Sequence, residues 1–352
     1  MNINEKYINR CLDLAKNGLG NTYPNPMVGA VIVHENKIIG EGWHQQAGKS
    51  HAEVNAIASV KDESLLKQSS IYVNLEPCSH YGKTPPCSDL IIEKGIKKVV
   101  IGMLDPFEKV AGRGIQKLIS AGCNVQVGVL EKECKELNKR FLCYHMQKRP
   151  YLILKWAASQ DGFLSPYLFP EVPKNPAPVW ITGNQSKQLV HKWRSQEQAI
   201  LVGANTVLAD QPSLTTRLWK GKNPTRIVID PHLKLDVSSK VFNEEAKSIW
   251  IHDAKLECKA NENSICEGIN FEDNPLQELM QVLYTHEIQS LIVEGGAYTL
   301  NAFIEANLWD EARVFNGKSI FNKGTAAPKL PNSKLISEEF INQDQLNLYK
   351  ND

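Results

Sequence analysis

The strongest chemical signal in this chain is His51-Ala52-Glu53, followed by Glu76-Pro77-Cys78 and then Cys87. One imidazole and two thiolates supply three ligands and keep the fourth tetrahedral corner for water, the arrangement of a catalytic rather than a structural zinc. Zinc lowers the pKa of such a water to about 7, and a carboxylate two residues from the histidine can move its proton. Glu53 is that carboxylate. The matching reaction removes an amino group hydrolytically from a ring carbon, with Glu53 protonating the adjacent ring nitrogen and then the departing ammonia. Zinc sites of this reaction class carry H-x-E and later P-C-x-x-C, whereas here eight residues separate Cys78 from Cys87. A fourth protein ligand would close the site, and His80 is near enough in sequence to be one. That alternative leaves Glu53 without a task.

The elements that must position these residues follow from periodicity. Five charged residues, Glu5, Lys6, Arg10, Asp13 and Lys16, lie among apolar ones spaced three and four apart over residues 1–17, the pattern of an amphipathic helix. Two β-rich runs, 27–34 and 37–44, flank Glu35-Asn36 as a hairpin. A helix starts at Ala52, so His51 stands at its opening. Strands at 71–75, 97–103 and 124–129 then alternate with helices at 88–94, 115–121 and from 131, giving an α/β layered domain over 1–149. Pro150 closes it. A second domain, 150–352, begins with a buried strand at 151–156. Residues 165–178 contain five prolines and predict a surface excursion. Strands at 199–202, 225–230, 248–252 and 290–293, interleaved with helices near 186–194 and 275–283, predict a second, mostly parallel sheet.

Composition narrows the function classes. With 352 residues the chain exceeds one ordinary core, which favours two domains. The 42% hydrophobic and 22% charged residues are those of a soluble enzyme, and a net charge of +1 offers no field for polyanions. A deaminase of a flipped nucleic-acid base would use the same zinc chemistry, but no basic stripe interleaved with aromatics is present. The opening residues do not read as a signal peptide and no apolar run can span a bilayer, so a cytoplasmic protein without a membrane partner is expected. The eight scattered cysteines then predict reduced thiols or metal ligands rather than a disulfide framework.

Over nearly its whole length the chain resembles the bifunctional riboflavin-biosynthesis deaminase-reductase family. The first half does so through Tyr23-Pro24-Asn25-Pro26-Met27-Val28-Gly29, His51-Ala52-Glu53, Leu75-Glu76-Pro77-Cys78-Ser79-His80, Gly82-Lys83-Thr84-Pro85-Pro86-Cys87 and Ala111-Gly112-Arg113-Gly114-Ile115. The wide cysteine spacing is that family's own. The resemblance implies a cytidine-deaminase-like three-layer domain in which His51, Cys78 and Cys87 bind zinc, Glu53 shuttles protons, and Asn25, His44, His80 and Lys83 face the substrate. It also implies a phosphorylated pyrimidine substrate. A homo-oligomer is expected.

The second half resembles the family's reductase domain, similar in fold to dihydrofolate reductase, through Lys155-Trp156-Ala157-Ala158-Ser159, Trp180-Ile181-Thr182, Arg194, Val202-Gly203-Ala204-Asn205-Thr206, Asp210-Gln211-Pro212, Leu214-Thr215-Thr216-Arg217 and Val293-Glu294-Gly295-Gly296. The resemblance implies that NADPH reduces the ring-opened ribose to a ribityl chain, with Ala157, Trp180, Thr206 and Asp210 on the cofactor side and Leu214 and Glu294 on the substrate side. Gly296 ends a strand-Gly-Gly-helix turn whose backbone amides can receive a cofactor phosphate. The full G-x-G-x-x-G fingerprint is absent, so a Rossmann dehydrogenase is not the reading. Arg194 and Arg217 are candidates for the substrate phosphate, since a guanidinium grips two oxygens at once. Lys155 or Asp210 supplies the proton that accompanies the hydride. Two features depart from the family: the proline-rich excursion is longer, and Pro178 stands where a polar substrate contact is expected. The inserted prolines are the one support for an alternative in which the second half has lost reduction and serves only for assembly or substrate capture. A zinc-stabilised binding module remains the non-enzyme alternative.

Overall fold

A computed structural model of the chain describes residues 2–81, 85–106, 112–168 and 177–352. The chain divides into two compact units, Met1–Gln147 and Lys148–Asp352. No described helix is long and apolar enough to cross a membrane.

The first unit runs α1 (Ile3–Lys16), β1 (Gly29–His34), β2 (Lys37–Trp43), α2 (Ala52–Ala58), β3 (Ser70–Leu75), α3 (Cys87–Glu93), β4 (Lys98–Met103), α4 (Arg113–Ser120), β5 (Asn124–Val127), α5 (Glu131–Leu137) and α6 (Lys139–Gln147). Asn2 caps α1 with a reciprocal Glu5 bond, which satisfies otherwise orphaned amides. Glu35 and Asn36 take φ of 46° and 61°, the left-handed pair that a two-residue hairpin turn requires. The sheet order is β2-β1-β3-β4-β5, antiparallel through β3 and parallel beyond. Strand alternation feeds two cores. Ala30, Ile32, Ile71, Val73, Val99 and Ile101 pack against α2, α3 and α4, while Val31, Val33, Tyr72 and Val100 pack against α1 and α5. The result is three layers, helix on sheet on helix.

The second unit runs β6 (Tyr151–Ala158), β7 (Phe163–Ser165), α7 (Asn184–Gln196), β8 (Ala199–Gly203), α8 (Ala204–Asp210), β9 (Thr225–Ile229), β10 (Ser248–Asp253), β11 (Ser264–Ile269), α9 (Pro275–Thr285), β12 (Ser290–Val293), α10 (Ala297–Glu305), β13 (Glu311–Asn316), β14 (Thr325–Ala326), β15 (Ser333–Ile341) and β16 (Asp344–Asn351). Nine strands form one sheet in the order β11-β10-β9-β8-β12-β6-β13-β16-β15, parallel from β11 to β13 and closed by the antiparallel β13, β16 and β15. Helices α9 and α10 cover one face through Leu279, Leu283, Leu300 and Phe303; α7 covers the other, where Val190 meets Phe315 and Leu346.

Periodicity assigns no element after residue 304, yet β13, β15 and β16 form there. The outer strand β15 is largely exposed, so its sequence carries no alternation to read. The expectation of reduced or metal-bound thiols is corrected at one pair. Cys258 and Cys266 form a disulfide, because the loop after β10 brings their Cα atoms to 6.1 Å. Cys11, Cys78, Cys87, Cys123 and Cys134 are not bonded to another sulfur. Of the proline excursion, residues 169–176 lie outside the described residues, and Pro178 is exposed.

Candidate active sites

His51 caps the N-terminus of α2 in extended conformation, and Glu53 sits in the first turn, only 3% exposed. The helix can lie this close to β2 because residue 42 is glycine: a Cβ there would stand 2.4 Å from the Ala56 nitrogen. Cys78 follows β3, and Cys87 opens α3. Their sulfurs lie 3.5 and 3.4 Å from His51 Nδ1, and the Cys87 amide donates to Cys78 Sγ at 3.3 Å. Ligands bonded to zinc at about 2.0 to 2.3 Å stand roughly 3.6 Å apart along a tetrahedron's edge, so these three residues fit that ion.

The charges of the group are interlocked. The hydrogen bond from the Cys87 thiol, and next that from His51, pull Cys78 down to about 4, while Cys87 and His51 are both moved upward by their bonds to Cys78. Burial, then the neighbouring Cys78 charge, pushes Glu53 up to about 7. Behind His51 stands His44, with ring centroids 5.5 Å apart. Its Nδ1 donates to the Ser50 carbonyl at 3.0 Å, which leaves Nε2 to accept from the Asn25 amide at 3.0 Å. Burial lowers the His44 pKa. Asn25 and His44 therefore join the group around His51. His80 is exposed and is not among the three possible ligands; Lys83 lies outside the described residues.

Three polar residues that set this geometry have partners that no local sequence pattern reveals. The buried Glu76 carboxylate accepts from the amides of Gly112 at 2.9 Å, Gly114 at 3.0 Å and Ile115 at 3.3 Å, fastening the start of α4 beside the Cys78 loop. Gly114 is needed there, since a Cβ would meet the Pro77 oxygen at 2.1 Å. Asn138 accepts from the Met27 amide at 2.8 Å, and Asn74 from the Gly29 amide at 2.7 Å, holding the segment that carries Asn25. Their partners lie up to 111 residues away, beyond any motif window.

In the second unit a charged group forms at the carboxyl ends of β12 and β6. Arg194 on α7 grips Glu294 with Nη2 at 2.8 Å and Nε at 3.3 Å, and Lys155 Nζ lies 3.7 Å from the same carboxylate. Glu294 is held at about 2: burial opposes the charge, and Arg194, then Lys155, overcome it. Burial lowers Lys155. Arg194 also donates to the Thr215 carbonyl at 3.3 Å, while the exposed Arg217 reaches Thr215 Oγ1 at 3.1 Å. The Arg217 amide donates to His191 Nδ1 at 3.0 Å, and burial, with Arg194 and Arg217, holds His191 at about 4. Leu214 is buried in left-handed conformation, φ 56°.

The residues expected on the cofactor side are spread over β6, the segment before α7, helix α8 and the turn before α10. Gly203, the last residue of β8, and Gly296, which ends the turn after β12, cap α8 and α10 without a side chain. Thr206 Oγ1 accepts from the Gly296 amide at 3.0 Å. A Cβ at residue 203 would stand 2.9 Å from Thr299 Oγ1, so glycine there lets the two turns pack side by side. Burial pushes Asp210, at the end of α8, up to about 6. Ala157 packs against the core behind α7, and Trp180 is exposed beneath Lys187 Nζ, 3.8 Å from its ring centre.

Residues 1–103 match the family described as cytidine and deoxycytidylate deaminase zinc-binding region, and residues 150–328 match the RibD C-terminal domain. The riboflavin biosynthesis protein RibD of Aquifex aeolicus is 42% identical over 92% of this chain and 89% of its own length; that of Bacillus amyloliquefaciens is 39% identical over 93% and 87%. The crystal structure of a diaminohydroxyphosphoribosylaminopyrimidine deaminase/5-amino-6-(5-phosphoribosylamino)uracil reductase from Thermotoga maritima superposes with a TM-score of 0.87 at 36% identity, over 99% of both chains.

Proposed function

As this chain belongs to the RibD family of bifunctional riboflavin-biosynthesis enzymes, we propose that its two halves perform successive steps on one phosphorylated pyrimidine, through the residues gathered in each. The first unit is a cytidine-deaminase-like domain, and the second a dihydrofolate-reductase-like one, a hydrolase joined to an oxidoreductase. The substrate is the diaminopyrimidinone ribosylamine phosphate, deaminated first and reduced second.

His51, Cys78 and Cys87 hold zinc, which when bound supplies activation of water. Glu53 holds the proton of the reaction and passes it to the ring nitrogen and the leaving amine; a group near pKa 7 exchanges protons readily at neutral pH. Asn25, oriented by His44, binds a polar edge of the pyrimidine ring. His80 and Lys83 complete the substrate side.

In the second unit NADPH, when bound, supplies the hydride. Gly296, Thr206, Ala157, Trp180 and Asp210 hold the cofactor; Leu214, Arg217, Arg194 and Glu294 hold the sugar phosphate. Glu294 stays ionised and fixes Arg194 and Lys155 around the ribosyl chain. Burial favours the uncharged form of Lys155, Asp210 and His191, and of these Lys155 or Asp210 delivers the proton that the new hydroxyl requires.

The observation that carries this reading is the pair of sulfurs at 3.5 and 3.4 Å from one imidazole nitrogen, beside a buried acid. Incubating the purified protein with the diaminopyrimidinone substrate, with and without NADPH, tests it. Ammonia should appear without cofactor, and NADPH should be consumed only after deamination. NADPH loss that precedes ammonia would overturn the order of steps.

A further inference from the structure

The second unit holds another group of one histidine and two cysteines, formed by His252, Cys258 and Cys266, which neither step uses. A ring nitrogen and the two sulfurs lie within 4.8 Å of one another. The strand register explains how they meet. In the parallel pair β10 and β11, Trp250 stands opposite Cys266 and His252 opposite Gly268, so these four positions share one face of the sheet. The loop between the strands folds back to place Cys258 over Cys266. A Cβ at residue 268 would stand 3.0 Å from Ala254 Cα and 3.4 Å from His252 Cε1, so glycine there lets the loop after β10 and the imidazole pack closely against β11.

The imidazole is buried and its tautomer is set by the backbone. His252 is 6% exposed, and its Nδ1 lies 2.9 Å from the Asp253 carbonyl. A carbonyl only accepts, so Nδ1 carries the proton and Nε2 keeps its lone pair. A backbone carbonyl fixing one ring nitrogen while the other binds the ion is the usual support of a metal-bound histidine. A disulfide alone needs no such neighbour. Both cysteines are half-exposed and open to small reductants. In the sheet, β9 and β8 separate β10 from β12, which places this group away from Glu294.

We infer that His252, Cys258 and Cys266 form a second site for a zinc-class cation, closed while the two sulfurs are bonded and opened by their reduction. In the opening step the Cys258–Cys266 bond takes two electrons and two protons from a small dithiol, which leaves as its cyclic disulfide. The cation then displaces both thiol protons to solvent and takes the imidazole as third ligand. A small oxidised disulfide reverses the step by accepting the two electrons, releasing the cation.

The test uses the full chain. One sample is reduced with dithiothreitol under argon, another oxidised with glutathione disulfide; both are freed of small molecules, exposed to zinc, desalted, and assayed for zinc per chain and for free thiols. Reduction should expose two further thiols and raise bound zinc by one ion per chain over the oxidised sample. The gain should vanish in Cys258→Ser/Cys266→Ser and persist in Cys78→Ser/Cys87→Ser, which loses the other site. His252→Asn, which keeps both thiols, should weaken the added zinc at least tenfold in a chelator competition. Equal zinc in the reduced and oxidised wild type, or a bond that dithiothreitol does not open in the folded chain, would refute the site without recourse to any variant.

Discussion

Glu53 and Glu294 are the same side chain, both almost shut off from solvent, and they are displaced in opposite directions: Glu53 rises to about 7, and Glu294 falls to about 2. Burial disfavours charge at both. At Glu53 the largest neighbouring charge is the Cys78 thiolate, which adds to the penalty. At Glu294 two cations, Arg194 and Lys155, reverse it. Partners rather than depth decide whether a buried acid trades protons or stands as a permanent charge, and here that choice separates the acid proposed to carry a proton from one held between two cations.

The largest effect is expected from removing the proposed proton carrier. Glu53→Gln should lower ammonia release by about 10²- to 10⁴-fold, the usual contribution of a general acid-base, with zinc content and NADPH oxidation of a supplied deaminated substrate unchanged. Retained ammonia release would mean that another group moves the proton. The clamp breaks differently. Arg194→Leu leaves Glu294 charged and half-compensated, and should cost about 3 to 5 kcal/mol in urea unfolding. The double change Arg194→Leu/Glu294→Leu should recover most of that loss; a double variant as weak as the single would show that the pair is not the cause.

Glu76 is a third buried acid, satisfied by backbone amides instead of cations. Glu76→Gln keeps one acceptor of two and should cost about 1 to 3 kcal/mol, read as a lower thermal midpoint with zinc retained less tightly. An unchanged midpoint would remove Glu76 from the support of the Cys78 loop.

The smallest effects are pH slopes. His191, held at about 4, keeps the folded chain neutral where the unfolded imidazole protonates, so its contribution is present above pH 6.5 and lost as pH falls toward about 4. Asp210, raised to about 6, acts oppositely: its contribution is present below about 3.8 and lost as pH rises toward about 6. Unfolding midpoints measured across this range should therefore become less acid-sensitive in His191→Gln and more so in Asp210→Asn. Slopes moving in the same direction would contradict the assignment.

Legibility in the sequence differs between the halves for the same physical reason. His51, Glu53, Cys78 and Cys87 sit at helix openings and one strand end, where local pattern and spacing already determine both position and chemistry. Arg194 and Glu294 stand 100 residues apart, and nothing near either shows that one clamps the other. Glu76 is similar: its motif is visible, its partners are not. The meeting of His252 with Cys258 and Cys266 depends on strand register and on a strand, β11, that periodicity does not reveal.

Periodicity and motif spacing were enough for the two-part α/β organisation, for the hairpin and helix that present His51 and, through five ordered motif blocks in the first half, for the family. Only the tertiary structure decided which charges meet and so which acid is neutral and which ionised, because a side chain's pKa follows the groups within a few ångströms of it, and those are set by packing between distant segments.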